Sequence, residues 1–251
     1  MPSVDINADL GESFGAWAMG DDDALLAIVS SANVACGFHA GDPATIRRTT
    51  LGAVRAGVAI GAHPSLPDLA GFGRRRMEVT PDEVYELVLY QVAAVAGFAR
   101  AAGAGLHHVK AHGALYNMAA TDRGLAAAIA GAVRDFDRGL MLYGLAGSAM
   151  MTAGEAAGLA VASEVFADRG YLPDGTLVPR SRPGALIEDV PRAVEQAVGM
   201  VRDGRVRSVE GGWVAVRADT VCVHGDSPGA VALATALRAA LQAEGIAIHA
   251  S

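Results

Sequence analysis

Short β-branched runs alternate with longer helical runs from one end of the chain to the other, the sequence sign of parallel βαβ units. Strands are predicted near 3–8, 32–36, 58–62, 107–112, 140–143, 160–166 and 220–224, and helices near 44–56, 81–102, 122–136, 147–157, 189–202 and 229–244. Several helices open on start signals. Thr80-Pro81-Asp82-Glu83 supplies a cap, a first-turn proline and early acids, and Asp42-Pro43 and Asp226-Ser227-Pro228 repeat the device, so that Asp42 and Asp226 read as N-caps. Abundant Ala and Gly with only 5% aromatics suits close packing of helices on a sheet. No proline- or serine-rich linker divides the 251 residues, so one domain over 1–251 is expected. Seven or eight βα units of this size fit a single (β/α) barrel of seven or eight strands, with an open doubly wound sheet as the competing architecture.

The placement of polar residues favours the barrel. Side chains alternate along a strand, so Asp5, Asn7 and Asp9 share one face of the first strand and the aliphatic groups share the other. The same alternation groups His108, Lys110 and His112, and groups Cys222 with His224. A strand covered by helices needs no polar face unless that face lines a site. Polar faces converging from several strands suit a barrel mouth, where the active sites of such folds lie. His107 is expected on the opposite face, and His249 reads as incidental.

Composition and missing motifs exclude other classes. With 27 acids against 20 Lys and Arg, the chain lacks the basic footprint of a nucleic-acid or anionic-lipid binder. Its longest stretch free of Asp, Glu, Lys and Arg, Ala24 to Gly41, is too polar for a membrane span. No secretory signal is expected, because Val4-Asp5-Ile6-Asn7 follows without a basic leader; the expected compartment is the cytosol. Cys36 and Cys222 are too far apart in sequence to suggest a disulfide framework or zinc ribbon, and read as small buried hydrophobes. P-loop, GxGxxG and GxSxG patterns are absent.

Two chemistries remain open for the polar cluster. Asp9, His39 and His63, with Glu12 or His224 nearby, form a candidate zinc or manganese site. Alternatively, metal-free acid/base chemistry would use Asp9 or Glu12 as base and His112 or Lys110 to stabilise an oxyanion. Arg74, Arg75 and Arg169 are candidate carboxylate clamps, with solvent exposure as the competing reading. Gly144-Leu145-Ala146-Gly147-Ser148 reads as a tight βα turn rather than an anion cradle.

Six stretches, taken in order, resemble the LamB/YcsF family: DINADLGESFG at 5–15, ANVACGFHAGDP at 32–43, GAHPSLPDLAGFGRR at 61–75, VKAHGALYN at 109–117, EVFADRGY at 164–171 and VCVHGDSP at 221–228. Ala111 stands where the family usually has Pro, and Ala8 where it often has Cys. The resemblance implies a barrel related to glycoside hydrolase and deacetylase barrels. It also implies ATP-dependent 5-oxoprolinase activity with partner subunits B and C, opening the lactam of 5-oxo-L-proline to L-glutamate. ATP, with its Mg, would act through the complex; self-association into a homo-oligomer is also compatible. For that substrate, Asp9 or Glu12 would direct water, Lys110 with His112 would polarise the ring carbonyl or hold a transferred phosphate, and Arg75 or Arg169 would hold the carboxylate. Asn7 and Asn33 would orient the ring, with His39, His63, Glu164 and His224 as further substrate contacts. The rival functions are a metal-dependent deacetylase or amidohydrolase, and a barrel that only delivers substrate to its partners.

Overall fold

The computed structural model describes residues 2–226 and 229–251. In chain order the elements are β1 (Ser3–Leu10), α1 (Asp22–Leu26), β2 (Ser31–Ala35), α2 (Pro43–Ala56), β3 (Ala59–His63), α3 (Pro81–Ala101), β4 (His108–Lys110), α4 (Gly113–Ala119) and α5 (Arg123–Phe136). There follow β5 (Met141–Leu145), α6 (Ala149–Ala156), β6 (Ala160–Phe166), α7 (Val190–Asp203), β7 (Arg205–Arg207), β8 (Trp213–Ala215), β9 (Thr220–Val223), α8 (Ala230–Ala243) and β10 (Ala247–Ile248).

β1, β2, β3, β4, β5, β6 and β9 pair in parallel in that order, and β9 returns to β1 through Asp5↔Thr220 to Ala8↔Val223. Among the described residues this makes a closed ring of seven strands, with β10 laid beside β1 and an antiparallel β7–β8 hairpin outside the ring. The barrel reading holds, at the lower of the two strand numbers.

Outside the ring lies the main apolar core. On β1 the residues Val4, Ile6, Ala8 and Leu10 join the aliphatic cluster, whereas Asp5, Asn7 and Asp9 hydrogen-bond across the interior. α3 begins with a full capping box between Thr80 and Glu83 and buries Val84, Val88, Val92, Val95 and Ala99 on one stripe. At roughly 1.5–3 kcal/mol for each fully buried aliphatic side chain, that stripe explains why a 21-residue helix docks rather than frays. By length and composition alone α3 is apolar enough to cross a bilayer, but here it packs against the barrel and α5.

Two local expectations are corrected. The predicted strand 107–112 ends at Lys110, and His112 instead occupies the N-cap position of α4, a helix the sequence did not announce. Asp42 caps α2 as expected, accepting from Thr45 N. Asp226 does not cap α8: its carboxylate pairs with Arg74 at 2.7 Å, and Gly229 holds the cap position. Ser227 and Pro228 of that expected start signal lie outside the described residues.

Candidate active site

The barrel interior is built in polar layers that rise toward the strand C-termini. At the bottom, the Asp5 carboxylate accepts hydrogen bonds from Ser30 and Ser31 Oγ (2.6 and 2.9 Å), Tyr143 OH (3.0 Å) and Thr220 Oγ1 (2.7 Å). Burial nevertheless raises its pKa, with these donors working against the rise.

Above it, Asn7 Nδ2 donates to Glu164 Oε1 (3.0 Å) and Thr220 Oγ1 (2.7 Å), while Asn33 Nδ2 donates to Asn7 Oδ1 (2.7 Å) and Asp9 Oδ1 (2.8 Å). His108 completes the layer by donating from Nε2 to Asn33 Oδ1 at 2.7 Å, its ring stacked on Tyr143. Gly61 makes room for that ring, because a Cβ there would fall inside the imidazole. Asn7, Asn33 and Glu164 therefore lie beneath the cavity rather than on its wall.

Lys110 joins this layer to the next. Its ammonium reaches Glu164 Oε1 (2.8 Å), Asp9 Oδ1 (2.9 Å), Cys222 Sγ (3.0 Å) and Asn7 Oδ1 (3.1 Å), and its side chain is only 2% exposed. Burial works to lower its pKa, but the charges of Asp9 and Glu164 outweigh it and hold the ammonium well above the usual lysine range. Burial likewise works to raise the Asp9 carboxyl, and His63 and Lys110 together hold it well below the usual carboxylate range. Asp9 is thus an ionised carboxylate at the cavity floor. Lys110 is a fixed cation whose protons are all engaged, which leaves it no free donor for a ring carbonyl.

Two groups flank Asp9. On one side, one ligand atom each from Glu12, His39, His63 and His112 gathers within 4.8 Å, all four residues buried. Burial, then the charges of Asp9 and Asp226, push the Glu12 carboxyl well above its ordinary value. Burial also pushes His39 and His112 well below theirs, with neighbouring histidines adding to the effect. On the other side, Asp9 groups with Cys222 and His224 within the same 4.8 Å. His224 Nδ1 donates to Asp168 at 2.9 Å and its ring stacks on Phe166. Of the expected metal trio, His39 and His63 share the first group, and Asp9, counted in the second, keeps its Oδ1 3.4 Å from His63 Nε2, so the three stay adjacent.

A cavity of about 550 Å³ opens above these residues, with Asp9, His63, Lys110, His112 and His224 on its floor and Arg74, Arg76, Arg169 and Arg180 around it. Arg169 is anchored by Nε to Ala185 O and by Nη2 to Val178 O. Burial, then the charge of Arg180, push it down to about 10. Burial and the charge of Arg74 lower Arg180 as well. Several guanidiniums around one opening favour an anionic guest. Arg75 does not join them, since its guanidinium is bound to Asp68 and its side chain is 67% exposed.

Sequence reasoning passed over Asp168 and Arg180. Asp168 lies inside a quoted motif, and only its pairing with His224, 56 residues away, marks it. Cys36 and Cys222 are buried free thiols whose pKa burial raises, consistent with packing rather than nucleophilic roles.

Known proteins bear on this geometry. The A component of 5-oxoprolinase from Bordetella pertussis is 61% identical over 250 residues, covering 100% of this chain and 99% of that one. The component of the same name from Tolumonas auensis is 59% identical with 100% of both covered. The crystal structure of a lactam utilization protein from Thermus thermophilus superposes with a TM-score of 0.93 at 50% identity, over 99% of this chain and 100% of that one. A T48 deacetylase shares the fold alone, with a TM-score of 0.50 at 13% identity over 99% of this chain and 88% of its own. The LamB/YcsF family model matches residues 4–251, and the chain belongs to that family.

Proposed function

We propose that this chain, a one-domain barrel over residues 1–251, is the A component of a cytosolic 5-oxoprolinase that opens 5-oxo-L-proline to L-glutamate with subunits B and C, coupled to hydrolysis of ATP as its Mg complex. The observation that carries the reading is the pairing of an ionised Asp9 with the His224–Asp168 dyad, within 4.8 Å of it, under an arginine-ringed cavity. A small lactam with one carboxylate matches that division into a charged rim and an acid/base floor.

In this reading Arg180 draws the carboxylate to the rim, with Arg169 behind it and Arg74, held by Asp226, adding positive charge beside it. Asp9 takes a proton from water as its oxygen adds to the lactam carbonyl carbon. His224, oriented by Asp168, delivers a proton to the ring nitrogen as the carbon–nitrogen bond breaks, leaving a γ-carboxylate and a free amine. Lys110 holds Asp9 ionised and in place instead of touching substrate. A five-membered lactam is a stable amide, so activation by ATP in the complex is chemically apt; the chain itself carries no P-loop sequence.

Glutamate formation by the complex reconstituted with candidate B and C subunits tests the assignment. Asp9→Asn and Asp168→Asn are each expected to lower turnover about 10²–10⁴-fold while the chain stays folded, the usual range for a general acid or base. Turnover within twofold of wild type in either variant would remove that residue from the mechanism.

A further inference from the structure

Hydrogen bonding fixes the ring nitrogens of two histidines in the Glu12 group. His63 Nδ1 lies 2.7 Å from Lys110 O and His112 Nε2 lies 2.9 Å from Phe72 O. A backbone carbonyl only accepts, so each of these nitrogens carries its proton. In the neutral rings the remaining nitrogens, His63 Nε2 and His112 Nδ1, are then bare lone pairs, and they face each other at 2.9 Å. Something positive belongs between them.

Two further groups need the same thing. Glu12 Oε1 and both nitrogens of His39 are buried with no hydrogen-bond partner among the described residues. Glu12 Oε1 stands 3.5 Å from His39 Nε2 and 3.6 Å from His112 Nδ1. A single proton shared by His63 and His112 would relieve their facing lone pairs but leave Glu12 and His39 unsatisfied. A metal dication meets one donor atom of each of the four residues at once, Nε2 in the case of His39.

We propose that Glu12 Oε1, His39 Nε2, His63 Nε2 and His112 Nδ1 form a binding site for a first-row transition-metal dication such as Zn²⁺. Four tetrahedral ligands at the usual zinc bond lengths lie about 3.3 Å from one another; three of the six pairs here stand at 2.9, 3.5 and 3.6 Å, and all lie within 4.8 Å, so binding draws the wider pairs together. The donor set of three imidazoles and one carboxylate suits zinc or cobalt and is a poor match for Mg²⁺ or Ca²⁺, which prefer oxygen. Metal-bound histidines characteristically donate their other N–H to a carbonyl or carboxylate, as His63 and His112 do here.

The surrounding backbone serves the same arrangement. Phe72 holds φ 55, an uncommon conformation for a non-glycine residue, while presenting its carbonyl to His112. The next residue, Gly73, has φ 65, and a Cβ there would press on Ser65 Oγ, His39 Cβ and His112 Cδ2. The His39 and His112 rings stack with centroids 3.8 Å apart, so metal binding requires one of them to tip until both lone pairs converge.

This site stands whether or not the lactam reading is right, and its test needs no partner protein. The full chain is stripped with chelator, dialysed and titrated with Co²⁺ by visible absorption, with bound Zn²⁺ counted by elemental analysis in parallel. One metal per chain is expected, with the intense visible bands of low-coordinate cobalt. Glu12→Gln, which preserves volume, and His39→Ala should each weaken binding by more than roughly 100-fold, beyond the loss typical of an outer-sphere partner. Circular dichroism identifies a variant that fails to fold, and the other then decides. Absence of stoichiometric Co²⁺ and Zn²⁺ binding to the folded wild-type chain would overturn the proposal, as would unchanged affinity in a folded variant. Metal binding without glutamate formation by the complex would leave the site standing and count against the lactam reading.

Discussion

Replacing Lys110 by Met tests the electrostatics of the barrel interior directly. The wild-type ammonium lies 2.9 Å from Asp9 and 2.8 Å from Glu164, both buried, so the substitution keeps the side-chain length and removes the one charge shared by two carboxylates. Breaking a buried ion pair by deleting one partner costs about 3–5 kcal/mol, because the survivor is left charged in a poorly solvating interior. In a chain of this length that corresponds to a fall in Tm of roughly 6–20 °C. The pH dependence has a definite sign. Asp9 is depressed in the wild type, so its contribution is present above its unfolded pKa and lost only as pH falls through the folded value. Lys110 is raised, so its contribution is fully present below its unfolded pKa. Without Lys110 the folded-state pKa of Asp9 rises and the carboxylate takes up a proton in mild acid. The stability gap between wild type and Lys110→Met should therefore be widest near pH 7.5 and narrower near pH 5. Urea denaturation followed by circular dichroism at the two pH values measures it, and adding Glu164→Gln should recover part of the loss at pH 7.5. A gap below about 1 kcal/mol at pH 7.5, or one that does not narrow in acid, would refute the reasoning.

Two further substitutions test the scaffold. Gly61→Ala places a methyl group inside the imidazole of His108, which is held by Asn33 and stacked on Tyr143, so thermal denaturation should show a loss of about 1–3 kcal/mol. Thr80→Ala removes the α3 capping box and should cost about 0.5–2 kcal/mol in urea denaturation; no loss would mean that the burial of α3 alone sets its start.

The parts of this molecule that sequence could reveal are those governed by local periodicity. All seven ring strands follow from β-branched runs, and the inward face of β1 follows from alternation alone, because Asp5, Asn7 and Asp9 have no other place to go. α4 was illegible because it starts on Gly113 directly after a strand, with His112 in the cap position making no side-chain cap bond. The three-residue strands β7 and β8 are too short to carry a period. Among adjacent arginines, which one faces the cavity depends on the turn at Phe72 and on Asp68 capturing Arg75, neither of which a linear pattern contains. The same holds for Asp168, whose character comes from a histidine on another strand's end.

Partner satisfaction separates scaffold from site within this barrel. An interior that served folding alone would be filled with branched aliphatic side chains. Here the lower polar layers are closed systems: Asp5 has four hydroxyl donors, Asn7 uses both its donor and acceptor ends, and Asn33 links Asn7, Asp9 and His108. Glu164 Oε2 is the exception in these layers. Near the strand C-termini the balance reverses, with Glu12 Oε1 and both His39 nitrogens unpartnered among the described residues, and Asp9 and Glu12 driven to opposite protonation preferences. Each buried polar group left without a partner costs about 1–3 kcal/mol. A ligand that supplies the missing partners recovers that energy, so the upper layer is destabilised in the direction that favours binding. The satisfied layers below hold Lys110 and Asp9 in position, and this separation gives one barrel an almost fully bonded base and, at its mouth, polar groups left open to a ligand.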